Sequence, residues 1–209
     1  MNIEKFIVEK LLEIEAVSLR PDEPFVWTSG IKSPIYCDNR LILWFPELRE
    51  KVAGALCGLI EERFPDVELI AGTATAGIPH AAWVSHFLGL PMCYVRSGSK
   101  GHGKKNQIEG LVETGKKAVV IEDLISTGKS SVNAVKALKE HQCEVLGIVS
   151  IFTYGLEQAK KACREEGIPY YSLTNFSALI DIAAEKGYIS EENKEFVLKW
   201  RENPAGWHK

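Results

Sequence analysis

The sequence predicts an α/β fold in which a parallel sheet is flanked by helices. Short apolar runs alternate along the chain with segments of helical character, as they do in doubly wound sheets. The run at 118–121 has no polar residue at alternate positions, which is typical of a strand buried on both faces. The predicted strands of the sheet are 67–71, 92–95, 118–121, 144–152 and 169–173.

Composition predicts one ordinary globular domain over 1–209, because 45% of the 209 residues are hydrophobic, 25% are charged and no convincing linker interrupts them. The net charge of −3 gives no basic field for nucleic acid. No apolar run approaches the roughly 18 residues of a membrane span. We therefore expect neither a nucleic-acid nor a membrane partner. Five scattered cysteines without a C-x-x-C pair favour reduced thiols and a cytoplasmic protein.

The N-terminal part predicts an amphipathic helix over 3–16 and then two short strands around a Ser-Gly turn within 25–40. The turn exposes Lys32, and the second strand places Tyr36 among charged neighbours. A lysine in a loop is by itself most often a solvated charge. The adjacent Ser-Gly turn and Ser-Pro step favour a binding loop at Lys32.

A second helix is predicted from Pro46, and the strand that follows it leads into a Gly/Thr loop over 72–79. Unpaired amides in such a loop can bind pyrophosphate, whereas a plain strand-to-helix connection has the same local pattern. Both interpretations stay open. His80 and His86 on the next helix lie six residues apart and on different faces, so they are not a metal-binding pair.

The segment after the strand at 92–95 is rich in glycine and basic residues. Three glycines lie within 97–107, and the basic side chains are Arg96, Lys100, His102, Lys104 and Lys105. A flexible cationic flap suits a leaving group that carries several negative charges. A solvated surface loop is the alternative. The glycine spacing and the acidic strand end described next favour the flap.

The stretch 117–131 is the centre of the functional prediction. An apolar strand is expected to end at two acids, Glu122 and Asp123, before a Ser/Thr/Gly turn and a helix over 132–141. The turn amides and the helix dipole would hold a phosphate. Hydroxyl groups that could add hydrogen bonds are those of Ser126, Thr127 and Ser130. The acids would face ribose hydroxyls or help to hold a divalent cation.

Two other structures can give a similar local pattern. A P-loop is excluded, because its motif needs glycine at the position of Asp123. An ordinary capped strand-to-helix turn remains as the alternative. Beyond the stretch, the strands at 144–152 and 169–173 enclose a helix over 156–166. Asn175 is expected to cap a helix that ends at Lys186, and Ser190 to begin the last helix.

The stretch 119–131 resembles the diphosphoribose-binding signature of the type I phosphoribosyltransferases. Nearly the whole chain is similar to the orotate phosphoribosyltransferases, especially their bacterial members. Ser29-Gly30-Ile31-Lys32-Ser33-Pro34-Ile35-Tyr36 resembles that family's orotate-side loop. Tyr94-Val95-Arg96 with Lys100, His102 and Gly103 resembles its mobile catalytic loop. Segments 106–110 and 148–152 resemble neighbouring parts of the family, and all matches lie in the same order.

The resemblance implies the type I phosphoribosyltransferase fold with a small N-terminal hood over about 1–45. It implies transfer of the phosphoribosyl group of 5-phosphoribosyl 1-diphosphate to orotate, which gives orotidine 5′-phosphate and diphosphate in pyrimidine biosynthesis. The implied cofactor is Mg²⁺, carried mainly by the donor, with no direct protein ligand assigned. The family also implies a homodimer in which the flap reaches into the neighbouring subunit's site.

The same resemblance carries residue roles onto matching positions. The implied catalytic residues are Lys100, His102 and Asp123, and the implied orotate-binding residues are Ser126, Lys32 and Tyr36. The implied donor-binding residues are Arg96, Lys100, His102, Glu122, Asp123, Leu124, Ile125, Ser126, Thr127, Gly128, Lys129 and Ser130. Basic residues of better-known relatives are replaced here at four positions, which are Thr28, Ala76, Ser97 and Thr153.

Two alternatives to orotate transfer fit the same motif less well. A phosphoribosyltransferase for another base is disfavoured by the cationic loop at 32–40, which suits a carboxylated pyrimidine. A regulator that binds the donor without chemistry is disfavoured by Lys100 and His102 on a glycine-hinged flap. Such a regulator would more often carry an added basic segment for nucleic acid, and the sequence contains none.

Overall fold

The computed structural model describes residues 2–26, 30–98, 107–204 and 206–207. The helices are α1 (Ile3–Glu13), α2 (Pro46–Arg63), α3 (Gly77–Leu88), α4 (Lys129–Glu140), α5 (Glu157–Glu165), α6 (Phe176–Glu185) and α7 (Glu191–Trp200). The strands are β1 (Val17–Leu19), β2 (Phe25–Val26), β3 (Lys32–Ser33), β4 (Ile35–Cys37), β5 (Leu69–Thr73), β6 (Met92–Val95), β7 (Ile108–Glu109), β8 (Lys117–Ile125), β9 (Glu144–Thr153) and β10 (Tyr170–Asn175). A 3-10 helix, Asn39–Trp44, precedes α2. No helix within these ranges is both long enough and apolar enough to cross a membrane.

Within the described residues, six strands form the main sheet in the order β10-β9-β8-β5-β6-β7. The pairs are parallel except for β6 and β7, which are antiparallel. The predicted α/β fold with a helix-flanked parallel sheet is therefore confirmed, and each predicted strand of the sheet is present. The sequence does not predict β7, because a strand of two residues has no measurable periodicity.

Alternate residues of β8 belong to different hydrophobic clusters on the two faces of the sheet. Val119 and Ile121 join the cluster that contains side chains of α1, α2, α3, α6 and α7. Ala118 and Val120 join the cluster on the opposite face, with α4 and α5. All four side chains are fully buried. Burial on both faces is the physical reason for the uninterrupted apolar run in this strand.

The acidic pair lies inside β8 and not beyond its end. The sequence predicts that the strand stops at Ile121, but it continues to Ile125, because β9 pairs with it along this stretch and places Glu122 opposite Ser150. Helix α4 also begins earlier than predicted, at Lys129. The extra length of β8 comes from its partner strand, so the residues of β8 alone do not reveal it.

The N-terminal residues form small antiparallel ladders beside the main sheet. β2 and β3 form a hairpin with Val26 opposite Lys32, so Lys32 lies in a strand and not in the predicted turn. The predicted second strand with Tyr36 is β4, which belongs to a separate ladder. The sequence does not predict β1, which pairs with β4. The indole nitrogen of the fully buried Trp200 donates a hydrogen bond of 2.9 Å to the carbonyl oxygen of Lys32. This bond connects the last helix, α7, to the hairpin.

Replacing Gly147 in β9 by alanine is expected to lower the free energy of unfolding by about 1–3 kcal/mol. A Cβ atom at this position would overlap the buried ring of Phe64. Gly54 in α2 is the matched control, because its Cβ position has no atom within 4 Å. Gly54→Ala is expected to raise stability by about 0.5–1 kcal/mol through helix propensity. Urea unfolding of both variants measures the difference, and equal effects would contradict this packing.

Candidate active site

The sheet opens at the carboxyl end of β5. Pairing between β5 and β8 ends at Gly72 and Ile121, and the chain then turns into a short loop before α3 begins at Gly77. The Thr73 hydroxyl donates to the carbonyl oxygen of Ile121 over 3.1 Å. A Cβ atom at Gly77 would lie 2.5 Å from that same oxygen, so glycine permits the close approach. On this side β8 continues without a paired strand, at the carboxyl end of the sheet, where ligands of α/β proteins bind.

One cleft of about 440 Å³ covers the ends of β5 and β6 and the start of α4, and we call it the donor-side cleft. It is lined by Thr73, Ala74, Val95, Arg96, Ser97, Thr127, Lys129, Ser130, Asn133 and Ala134. Gly128 precedes α4 with φ of +77°, and because it has no side chain the first helix amides are uncapped. Free amides, the helix dipole and the cations Arg96 and Lys129 together suit a phosphate group.

A second cleft of about 370 Å³ lies between the N-terminal hairpin and the ends of β8 and β9, and we call it the base-side cleft. It is lined by Phe25, Val26, Tyr36, Cys37, Leu124, Ser126 and Tyr154. The ring centroids of Phe25 and Tyr36 are 5.6 Å apart. An aromatic wall with a few polar groups is suited to a flat heterocycle.

The two acids of β8 have different environments. Glu122 is 5% exposed. Its Oε2 accepts hydrogen bonds from the hydroxyls of Ser130 at 2.8 Å and Ser131 at 3.2 Å. The pKa of Asp123 is raised to about 7, chiefly by burial and also by the charge and the hydrogen bond of the neighbouring Glu122. Glu122 is thus held by hydroxyl donors, whereas Asp123 needs a further donor or cation to be fully ionised near neutral pH.

An asparagine from the N-terminal region contacts the same strand. The Asn39 side-chain nitrogen donates to the carbonyl oxygen of Asp123 over 2.8 Å, and its amide oxygen accepts from the Cys37 thiol at 3.3 Å. Sequence reasoning missed Asn39, because it lies 84 residues from Asp123 and its local pattern indicates only a turn. It also missed Phe25 and Tyr154. The position of Tyr154 directly after β9, at the ligand-binding edge, was the available signal.

The predicted site residues have different places in the structure. Arg96, Thr127, Lys129 and Ser130 line the donor-side cleft, and Ser126 and Tyr36 line the base-side cleft with Leu124. Glu122, Asp123, Ile125 and Gly128 belong to the backbone that connects the two clefts. Lys32 is exposed and does not line either cleft, although its strand partner Val26 does. Lys100 and His102 lie outside the described residues.

The four departures from better-known relatives also have different positions. Ser97 lines the donor-side cleft, and Ala76 lies in the loop that precedes α3. Thr153 is 7% exposed, and its hydroxyl donates to the Ile125 carbonyl and accepts from the Gly155 amide. Its hydrogen bonds are therefore internal, and the base-side cleft is lined by the next residue instead. Thr28 lies outside the described residues.

Few side chains of the described residues are placed to bind a metal ion. In the described part of the chain, no group of three or more histidine, cysteine, aspartate or glutamate side chains is placed to hold a cation. Glu122 and Asp123 are adjacent, and one oxygen of Glu122 already accepts two hydroxyl groups. A divalent ion at this site would take most of its ligands from the oxygens of a bound phosphate compound.

Comparison with known proteins gives consistent results. Residues 45–184 match the phosphoribosyl transferase domain family. The orotate phosphoribosyltransferase of Listeria innocua is 57% identical over 209 residues, which is 100% of both chains. The crystal structure of orotate phosphoribosyltransferase from Aeropyrum pernix has a TM-score of 0.76 at 27% identity and covers 88% of this chain and 99% of its own. Leishmania donovani UMP synthase has a TM-score of 0.78 at 25% identity, covering 94% of this chain and 42% of its own.

Asp123→Asn is expected to stabilise the free protein, and to do so more at high pH. The folded-state pKa of Asp123, about 7, lies above its ordinary value of 3.8. Stability from this group is therefore full below the ordinary value and is lost as the pH rises to about 7. Asparagine does not ionise, so the gain should be about 2 kcal/mol larger at pH 8 than at pH 5. Urea unfolding of parent and variant at both pH values measures it.

Asp38→Asn is the control with the opposite sign. The pKa of Asp38 is lowered chiefly by its hydrogen bond with the Arg40 side chain. Its charge therefore favours the folded state, and removing that charge should not stabilise the protein at either pH. An equal gain for Asp123→Asn at both pH values would contradict the raised pKa.

Proposed function

The chain belongs to the orotate phosphoribosyltransferase family, and we propose how its site residues divide the work of that reaction. It transfers the phosphoribosyl group of 5-phosphoribosyl 1-diphosphate to orotate in pyrimidine biosynthesis. The observation that supports the division is the presence of two clefts at one sheet edge. One is cationic and rich in amides, the other aromatic, and the acid-bearing end of β8 connects them.

The 5′-phosphate of the donor binds at the start of α4. The uncapped helix amides after Gly128 and the hydroxyls of Thr127 and Ser130 are the groups that support this placement. The diphosphate lies towards Arg96 and the loop after Thr73, on the opposite wall of the donor-side cleft. Arg96 keeps one contact with Glu109 at 3.4 Å, which leaves most of its guanidinium donors for phosphate oxygens.

Asp123 accepts hydrogen bonds from the ribose hydroxyls of the donor. Burial and Glu122 disfavour the ionised form of this carboxylate in the free protein. Each ribose hydroxyl that donates a hydrogen bond to it stabilises the ionised form. Glu122 accepts hydrogen bonds from Ser130 and Ser131 and so fixes the start of α4 against β8. The transition state resembles an oxocarbenium ion, so negative charge on the ribose side favours it.

The diphosphate of the donor would hold Mg²⁺ for the most part, beside the acids of β8. When bound, the ion neutralises charge that develops on the departing diphosphate. The protein contributes the adjacent acids Glu122 and Asp123 and the cations that close the other side of the cleft.

Orotate occupies the base-side cleft. Phe25, Tyr36 and Tyr154 supply flat apolar contacts, and Ser126 supplies a hydroxyl beside the strand that carries the acids. Lys32 pairs with Val26 in the hairpin, which places its backbone next to the cleft wall. Its ammonium group would reach the orotate carboxylate at the open rim of this cleft.

The protein acts as a homodimer in which the flap with Lys100 and His102 serves the neighbouring subunit. Both ends of the flap are anchored at the outer edge of the sheet, where the Arg96 amide donates to the Gln107 carbonyl over 2.9 Å. An exposed apolar surface supports a second copy. Trp44 is 82% exposed, and Leu41 and Phe45 are also exposed.

The compartment is the cytoplasm. Cys37, Cys57, Cys93, Cys143 and Cys163 are buried free thiols. Burial is the largest cause of the raised pKa of each of them. Buried neutral thiols of this kind suit a reducing environment.

Removing Mg²⁺ is expected to stop the reaction. With donor, orotate and Mg²⁺ present, orotate is consumed and its ultraviolet absorbance falls. Chelation of Mg²⁺ should lower the rate by more than about tenfold, because the diphosphate then leaves with its charge unbalanced. Full activity in chelator would contradict the role of the metal.

Consumption of uracil or a purine in place of orotate would contradict the assignment of the base, and donor binding without any reaction would favour a regulator.

Mixing two inactive variants tests the shared flap. Lys100→Ala and Asp123→Asn are each expected to lower turnover by at least about tenfold. In a mixed dimer, one site would combine intact Asp123 of one subunit with intact Lys100 of the other, so activity should return after the subunits exchange. Lys100→Ala mixed with His102→Ala is the control, because every flap then carries a lesion. No recovery in the first mixture would place the flap in its own subunit's site.

A further inference from the structure

Two side chains continue the hydrogen bonding that β5 leaves unfinished along β8. In a strand, every second carbonyl points towards the same neighbouring strand, so Ile121 and Asp123 direct theirs to the β5 side. The Ile121 oxygen accepts from the hydroxyl of Thr73, the last residue of β5. The Asp123 oxygen accepts from the side-chain amide of Asn39. Asn39 therefore occupies, for Asp123, the place that a β5 residue would otherwise have.

The contact is built into the interior and is not a chance surface encounter. Asn39 is fully buried, and the hydrogen bond measures 2.8 Å. Its other amide atom is oriented by the Cys37 thiol at 3.3 Å, so both ends of the side chain have partners. A buried backbone carbonyl without a hydrogen-bond donor destabilises the folded protein. This bond therefore contributes more to stability than the same bond would on the surface.

The contact also joins two parts of the site. Asn39 is the first residue of the 3-10 helix that follows β4, and β4 carries Tyr36 and Cys37 of the base-side cleft. Asp123 faces the ribose of the donor under the proposed function. A hydrogen bond between them ties the position of the donor's acid to the segment that forms the base-side wall.

We propose that Asn39 is a positioning residue that holds Asp123 in place for the donor. It does not touch the donor, and it acts by fixing the backbone of β8 where the strand has lost β5. This inference rests on the proposed role of Asp123. It goes beyond that role by naming the side chain that fixes the backbone of β8 at Asp123, where β5 no longer pairs with the strand.

The test measures KM for the donor, KM for orotate, kcat and thermal stability in four variants. Asn39→Ala removes the amide, and Asn39→Asp keeps the size and the acceptor for Cys37 but replaces the donating nitrogen. Ile42→Val removes one buried methyl group from the same 3-10 helix without touching Asp123, and controls for packing. Asp123→Asn reports the role of the carboxylate itself.

Both Asn39 variants are expected to raise KM for the donor about fivefold to tenfold, the effect of one lost hydrogen bond. KM for orotate should change less than about twofold, and Ile42→Val should leave both KM values unchanged while it lowers thermal stability. A role in folding alone would lower the active fraction, and hence kcat, without moving KM. Unchanged donor KM in Asn39→Ala overturns the inference.

A double variant separates this inference from the proposed function. If Asn39 acts through Asp123, then Asn39→Ala should add little to the donor KM of Asp123→Asn, because the group it positions is already altered. Additive effects would overturn the inference while leaving the role of Asp123 intact. An unchanged donor KM in Asp123→Asn alone would overturn both.

Discussion

The parting of β5 from β8 is the constraint on which the rest of the site depends. Pairing stops at Gly72 and Ile121, yet β8 runs on to Ile125 because β9 still supports its other edge. Gly77 permits the departing loop to turn against the β8 backbone, where a side chain would meet the Ile121 oxygen. The donor-side cleft lies beyond the end of β5, and the edge of β8 that β5 leaves finds its hydrogen-bond partners elsewhere.

Electrostatics explains why two carboxylates can lie beside a phosphate site. Glu122 is buried, and the hydroxyls of Ser130 and Ser131 at the start of α4 donate to its carboxylate and hold it in place. Asp123 is destabilised in the ionised form by burial and by its neighbour. This unfavourable free energy of ionisation is relieved when hydrogen-bond donors or a cation bind to the carboxylate. Stability of the free protein and affinity for the donor are therefore set against each other at one residue.

The base-side cleft depends on contacts between distant parts of the chain. Its walls come from the N-terminal hairpin and from the residue after β9, and both are supported by α7. The Trp200 ring centroid lies 5.7 Å from that of Tyr154, and the Trp200 indole donates to the hairpin at Lys32. Such cross-links fix the spacing of a cleft that the hairpin, with two residues in each strand, would not maintain by itself.

The sequence by itself determined the α/β class, the segments that form the main parallel strands and the donor loop around Thr127, because local periodicity and a contiguous motif encode them. It also indicated Tyr36 and Ser126 through the resemblance to the family. Only the tertiary structure decided that β8 extends past its acids and that Asn39 and Tyr154 belong to the site. The physical reason is that these features arise from pairing and packing between segments far apart in the chain, 84 residues for the Asn39 bond, and local propensity carries no information about such contacts.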